Sequence, residues 1–452
     1  MSTTRRRSGL AALMLLGAWA ALAVLHATAL ASGPAPEPEP EPPDTTLHQF
    51  LGTMSDSTDR YFGKSATPLD TTGLDSAAAY SSEVRGRVRF GVLPSFDFSR
   101  ADGSTFGGGL KIEGPRQAGR LTLRAAYAVG AQQWLGGAEF RRQRRNAAAT
   151  WTIEGWGGRE TAPMNRDYAE PYIDPSRALS TGSDRTNYVR HDGWRASLER
   201  ENTLWRAVIG VRDLLESPLG TTATWDMLHR DLIVTPNLPA AFGRAREVHL
   251  GGGTRLPAVP FRIEADYWTS GPGLKSDFAY DRVRLALGGD VTAGRWASVV
   301  PQAVWGFVNG EATPQQAFYL GAGPTLVSVP RDALGGSSFG IAKLQVIGAG
   351  DLLGMLRIPH PALLYFQPGV FAATSAVGGA DPFGGPARPG ARWPERASWL
   401  SEAGVSLHYN PGVLGATLRF SEAWPLGPTT RGERFEFAIV HPLDLLHRPF
   451  EE

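Results

Sequence analysis

Gly336-Ser337-Ser338-Phe339-Gly340 matches the G-x-S-x-G pattern of serine hydrolases letter for letter. That chemistry needs its serine on a sharp turn between a strand and a helix, where the hydroxyl stands exposed beside a histidine base. The residues that follow, Phe339 to Val346, alternate like a strand and offer no helix. Gly63-Lys64-Ser65 has the last letters of a phosphate-binding loop, but Thr58 stands where that motif needs its first Gly. The nine histidines are scattered singly, none at metal-ligand spacing with another. The chain has no cysteine, which excludes disulfides, thiolate metal sites and cysteine nucleophiles. No catalytic constellation stands out, so the sequence predicts no enzyme, no catalytic residue, no cofactor and no metal.

The remaining chemistry-bearing residues are arginines and acids, and their spacing is that of a strand. Val88, Phe90, Val92, Phe96 and Phe98 alternate with Arg87, Arg89, Ser95 and Asp97. Leu121, Leu123, Ala125 and Tyr127 oppose Arg120, Thr122 and Arg124. Phe261, Ile263, Ala265 and Tyr267 oppose Arg262, Glu264 and Asp266, and Val283, Leu285 and Leu287 oppose Arg282 and Arg284. Because successive side chains of a strand point to opposite faces, each segment has one greasy and one charged face. The pattern persists through Leu414–Phe420, set against Thr417 and Arg419, to Phe435, Phe437 and Ile439.

About sixteen such segments of roughly ten residues lie between Arg85 and His441, the length that crosses a bilayer as a strand. Short turns join several pairs, and long insertions fall at 158–191, 214–244, 309–336 and 377–397. Aromatic residues gather near strand ends, at Phe96, Phe98, Trp151, Trp156, Trp268 and Tyr409, where membrane interfaces favour them. The predicted fold class is all-β, a transmembrane antiparallel β-barrel of about sixteen strands over residues 84–442. A soluble propeller or sandwich, with its charged face turned to water, is the competing reading.

The barrel is preceded by three smaller pieces. Arg5–Arg7, the apolar run Leu10–Leu25 and the small residues Ala27, Ala29 and Ala31 read as a signal peptide over 1–31, with a retained anchor as the alternative. Its removal takes away three arginines and no acid, so the formal charge passes from +1 to −2. A nearly neutral chain is no candidate for electrostatic nucleic-acid binding. Residues 32–45, with PAPEPEPEPP, form an extended tether. Leu47, Phe50, Leu51 and Met54 share one helical face within 46–83, either as a short packing helix or as one entering a pore. Residues 443–452 are a C-terminal tail.

The stretch Phe318–Val346, rich in Gly and Pro at its centre, is far longer than the turns that usually join neighbouring strands. Together with the strand count and an opening RVRFGVLPSFDF followed by FGGGLKIE, it resembles the BamA/TamA-type bacterial surface-antigen family of outer-membrane barrels. In that family the sixth extracellular loop folds into the lumen and carries a V/L-R-G-F/Y motif, whose arginine binds acids on the barrel wall. The matching piece here runs from Leu320 to Pro330. Thr325 and Leu326 fit, whereas Val327, Ser328 and Val329 stand where the Arg, Gly and aromatic residues belong, and Arg331 is a candidate substitute. The family's periplasmic POTRA modules have no counterpart between Ala31 and Arg85.

The resemblance implies outer-membrane localisation, a monomeric barrel among outer-membrane lipids, a first-to-last strand seam that pairs weakly, and a role in outer-membrane protein or lipid assembly or translocation with a periplasmic partner protein. The residues alone leave two alternatives. One is a passive channel plugged by 318–336, with lumen arginines that favour anions. The other is an outer-membrane hydrolase using Ser338.

Overall fold

A computed structural model describes residues 88–114, 119–146, 149–165, 167, 186–223, 236–256, 259–321, 325–361, 364–388, 390–409, 417–426 and 434–440. The expected signal peptide, tether, amphipathic helix and C-terminal tail lie outside these residues, as does His441.

Period-two alternation produces strands almost everywhere it occurs. The first group is β1 (Arg89–Ser99), β2 (Gly103–Glu113), β3 (Arg120–Ala128), β4 (Gln133–Arg145), β5 (Thr150–Pro163) and β6 (Tyr188–Glu201). Then come β7 (Trp205–Pro218), β8 (Gly243–Arg255), β9 (Phe261–Ser270), β10 (Tyr280–Gly289), β11 (Val291–Ala293) and β12 (Ala297–Gly310). A small hairpin, β13 (Phe318–Leu320) and β14 (Leu334–Gly336), precedes β15 (Ser338–Gly348), β16 (Phe366–Gly378), β17 (Leu400–Tyr409), β18 (Thr417–Leu426) and β19 (Arg434–Val440).

Apart from the hairpin, these form one sheet of 17 strands. Its neighbours pair antiparallel in chain order, β12 running against β15. β10 and β11 both lie against β12, from Tyr280 opposite Gly310 to Ala293 opposite Ala297, so they are one strand interrupted at Asp290. Among the described residues the sheet therefore has sixteen strands, in keeping with the about sixteen that the alternation predicts, all but the 7-residue β19 long enough to cross a bilayer. Ladders run from β1 to β19, and none joins those two strands to each other among the described residues.

Burial is inverted relative to a protein in water. On β10, Arg282 and Arg284 are at most 1% exposed, while Leu285 and Leu287 are each 41% exposed. On β7, Arg212 is buried and Ile209 and Val211 face out. A soluble sheet has the opposite polarity, so the outer face belongs to lipid and the fold is a transmembrane antiparallel β-barrel sheet.

Three aromatic placements differ from expectation. Trp156 and Trp268 share the parity of Glu154 and Asp266, so they point inward instead of joining an interfacial belt. Trp268 is buried, stacked on His249 at 4.9 Å. Phe98 is buried as well, against Ala223. The strands also run further than their apolar cores suggest, β5 to Pro163 and β7 to Pro218, because pairing continues into the loop bases. On the short-turn side one connection is long: residues 349–365 contain a helical turn, Leu352–Met355, whose first turn is capped by the Asp351 carboxylate accepting from Gly354 N–H.

Candidate functional site

The connection from β12 to β15 is the sixth on the long-loop side, and it runs into the barrel. Glycine and proline shape it. After Gly310, Pro314–Gln316 forms a 3-10 turn, and Tyr319 donates its hydroxyl to Pro314 O at 2.6 Å. β13 and β14 pair through Phe318–Gly336, Tyr319–Gly335 and Leu320–Leu334. At the tip, Gly321 N–H donates to Thr325 Oγ1 at 2.9 Å. Gly321 has φ +124°, and a Cβ there would stand 1.9 Å from Pro330 O. Gly321→Ala should therefore destabilise the tip by about 1–3 kcal/mol through overpacking. The expected readout is faster proteolysis within 322–333 in detergent-solubilised protein, with the barrel itself intact; unchanged protection disproves it.

Loops normally lie on the surface. This one is buried: Gln316, Phe318, Tyr319, Leu320, Leu326, Val327 and Val329 are each at most 3% exposed. Phe318 stacks on Phe339 of β15 at 4.6 Å and fits over Gly306 of β12, where a Cβ would collide with its ring. Tyr319 and Ala317 pack with Met164 and with Val189 of β6. Leu326 and Val329 meet Ala373 of β16, and Val327 packs with Phe371 of β16 and Ala423 of β18. One loop thus touches strands from β6 to β18, which requires the sheet to curl around it. Burial, with the Asp332 and Asp381 charges, pushes the Tyr319 phenol well above its ordinary range and keeps it a donor.

Among the described residues, polar contacts from β17 and β10 anchor the loop to the wall. On β17, Glu402 points inward, is 1% exposed, and accepts Val327 N–H at 2.9 Å on Oε1 and Ser328 N–H at 2.7 Å on Oε2. Successive amides aimed at one anion make a small nest, and hydrogen bonds to a charged acceptor are stronger than neutral ones. On β10, Arg282 lies over the rings of Phe318 (4.2 Å) and Trp268 (4.8 Å) and donates from Nε to Gln316 O at 3.2 Å. Its Nη2 donates to Asp167 Oδ2 at 2.5 Å. Asn165, from the same β5–β6 connection as Asp167 (the third on the long-loop side), donates to Asp332 at 2.9 Å, which ties the two loops together.

Thr325, Leu326, Val327, Ser328 and Val329 are therefore brought together at the wall, all buried, while Arg331 is half-buried beyond the exposed Pro330. Val327 and Ser328, which the resemblance aligns with Arg and Gly, meet the Glu402 carboxylate through their backbone amides. Sequence reading did not single out Glu402. Its parity with Ser406 and His408 marks it as inward-facing, but nothing marks its partner. Ser338 opens strand β15 and donates to Gly390 O at 2.5 Å, so the strand-to-helix turn that its motif needs is not there.

Elsewhere the lumen wall carries several charge pairs. Arg120 and Arg124 share Glu139, at 3.4 and 3.8 Å, Arg195 meets Glu160 at 2.6 Å, Arg206 meets Glu199 at 2.7 Å, and Arg262 meets Glu264. A small cavity remains between β4 and β9, lined by Glu139, Glu154, Trp156, Glu160, His191 and Arg195 among others. Among the described residues, no group of three or more His, Asp or Glu is placed to hold a metal.

No known family model matches the sequence, and no curated protein matches it. Solved structures with a similar fold include BamA from Haemophilus ducreyi lacking POTRA domains 1-3, at 12% identity and TM-score 0.48, over 84% of this chain and 80% of that one. CdiB from Acinetobacter baumannii is similar at 12% identity and TM-score 0.42, over 78% of this chain and 59% of that one. OccK11 (OpdR) from Pseudomonas aeruginosa is similar at 12% identity and TM-score 0.33, over 78% of this chain and 94% of that one.

Proposed function

We propose that the protein is a monomeric outer-membrane barrel of the BamA/TamA surface-antigen type, closed at rest by its sixth loop. In this reading it serves the assembly or translocation of outer-membrane protein or lipid together with a periplasmic partner protein, and it is not an enzyme. The observation that carries the reading is the hold of Glu402 on the amides of Val327 and Ser328. It does with backbone donors what the family resemblance assigns to a loop arginine. A loop held against the wall at two places closes the lumen, which a permanently open pore does not need. If depleting the protein leaves barrel insertion and outer-membrane composition unchanged, the assembly role is wrong.

The same burial favours a second reading, a channel plugged by 318–336. Its preference for anions is weakened by the pairing of Arg120, Arg124, Arg206 and Arg262 with acids, since alternating fixed charges select poorly by sign. In planar bilayers the full chain should be silent, and deletion of 318–336 should produce steady conductance with weak ion preference. A wild-type barrel that conducts steadily overturns the closed lumen, and a silent deletion variant shows that the loop is not what closes it. Heat-modifiable migration of the membrane fraction tests the barrel itself.

A further inference from the structure

The outer surface carries a row of residues that neither the lumen nor the loop explains. It lies at the short-turn end of four consecutive strands, just past the exposed apolar belt. On β4 the outward positions run Trp134 (66% exposed), Ala138 and Phe140 (40%), and then become Arg142 and Arg144. On β5, Ile153 (48%) is followed at the strand end by Trp151. On β6, Trp194 and Leu198 lead to Arg200, and on β7, Ile209 and Ala207 lead to Trp205. The register aligns them: Arg144 is opposite Trp151, and Trp151 is opposite Arg200. The Arg200 guanidinium lies 5.2 Å from the Trp151 ring centroid and 4.9 Å from that of Trp205. Its buried Nε has no hydrogen-bond partner.

The charge arrangement around this row is asymmetric. Two inward-facing neighbours on the same strands are paired: Arg141 with Glu154 at 3.0 Å and Arg206 with Glu199 at 2.7 Å. Outward arginines at the long-loop end are paired too, Arg159 with Asp192 and both Arg244 and Arg246 with Asp213. Among the described residues, Arg142, Arg144 and Arg200 alone of these face outward with no carboxylate against them. On this stretch of the outer face these three cations are open to an anion from outside the chain.

We propose that Arg142, Arg144 and Arg200 form a binding site for the phosphate headgroup of an anionic phospholipid in the leaflet on the short-turn side. The proposal rests on the membrane placement given above. Stacking on two indoles fixes the guanidinium plane and leaves its N–H edge for a bidentate phosphate contact, which arginine makes better than lysine. Tryptophan favours the headgroup level, where its ring meets both acyl chain and water. Phe140, Ile153, Leu198 and Ile209 lie immediately deeper on the same face and supply the wall for the acyl chains. Arg144 and Arg200 are two strand spacings apart, roughly 10 Å, which suits one headgroup or two adjacent ones. A zwitterionic headgroup brings its own cation to the same place and gains less.

The test uses the full chain reconstituted in nanodiscs of phosphatidylcholine and phosphatidylglycerol, with retained lipids weighed by native mass spectrometry. Wild type should retain phosphatidylglycerol in preference, and Arg200→Gln should reduce that preference roughly fivefold, the scale of one basic residue at a charged surface. Combined R142Q and R144Q should reduce it further, while Arg159→Gln, at the far end, should leave it unchanged. A folded, heat-modifiable wild type with no lipid preference overturns the site. Equal loss in Arg159→Gln does so too, because it reduces the effect to net charge. Displacement of the lipid by millimolar inorganic phosphate shows a simple ion site and also overturns it. If wild type instead fails to enter the nanodisc as a heat-modifiable species, the membrane placement has failed.

Discussion

Glu402→Ala should release the tip of the sixth loop from the wall, weakening its docking by about 2–4 kcal/mol. Two buried N–H groups, of Val327 and Ser328, lose a charged acceptor, and each unsatisfied buried donor costs about 1–3 kcal/mol. Part of that is returned because the carboxylate no longer has to be desolvated inside the barrel. Leu326, Val327 and Val329 keep their apolar contacts with Ala373, Phe371 and Ala423, so the loop loosens without leaving the lumen altogether. Intermittent conductance in planar bilayers is the expected signature, with faster proteolysis at the tip. Glu402→Gln should fall between the two, since its oxygen still accepts one N–H while its NH2 group opposes the other. A Glu402→Ala protein that is as silent and as protected as wild type would show that the apolar contacts alone hold the loop.

The barrel was legible because every strand has to satisfy two solvents at once. Leu285 and Leu287 need lipid while Arg282 and Arg284 need partners, and a strand can arrange this only by alternating. That constraint repeats on each crossing, which is why the sixteen strands could be counted from side-chain types. It also fixes faces more reliably than residue preference does. Trp268 looked interfacial by type, yet its parity with Glu264 and Asp266 sends it inward, where it stacks on His249 and under Arg282.

The loop was legible as an interruption, and its anchoring was not. Val327 and Ser328 contribute only their N–H groups, which nearly every residue possesses, so no side-chain motif records them. Glu402 stands in a wall full of inward acids, and sequence alone gives no means of telling the one that meets amides from those that meet arginines. Arg331 was the natural candidate because the family resemblance asks for an arginine. The contact to Glu402 comes instead from backbone amides, of Val327 and Ser328, four and three residues before it. The outward arginines were obscured differently: they follow the parity of Phe140, Leu198 and their neighbours, and only the pairings of the other arginines make them exceptional.

Arg282→Ala should have the largest effect of any single replacement in the lumen. Its guanidinium lies over Trp268 and Phe318, supports Gln316 O and neutralises Asp167, which is 2% exposed. Removing one partner of such a buried pair costs about 3–5 kcal/mol, because the remaining charge is left in a poor medium. Two desolvated cation–π contacts contribute up to about 2 kcal/mol each. Arg284 does not take over: its Nε stands 3.7 Å from Asp167 Oδ1, and it is already shared with Glu264 and Asp266 at 3.9 and 3.5 Å. Arg282→Ala should therefore lower the unfolding temperature in detergent and free both the third and sixth loops. Arg282→Lys should recover little, as an ammonium cannot serve two rings and two acceptors in one plane. The double variant R282M with D167N decides the cause. Recovery of stability by the neutral pair, with the lumen closed again, identifies the stranded Asp167 charge as the main penalty. Recovery of stability with a lumen that still conducts assigns closure to the stacking of Arg282 on Phe318. A single Arg282→Ala variant that melts and gates like wild type would remove the second anchor from the account, leaving Glu402 and the apolar contacts to hold the loop.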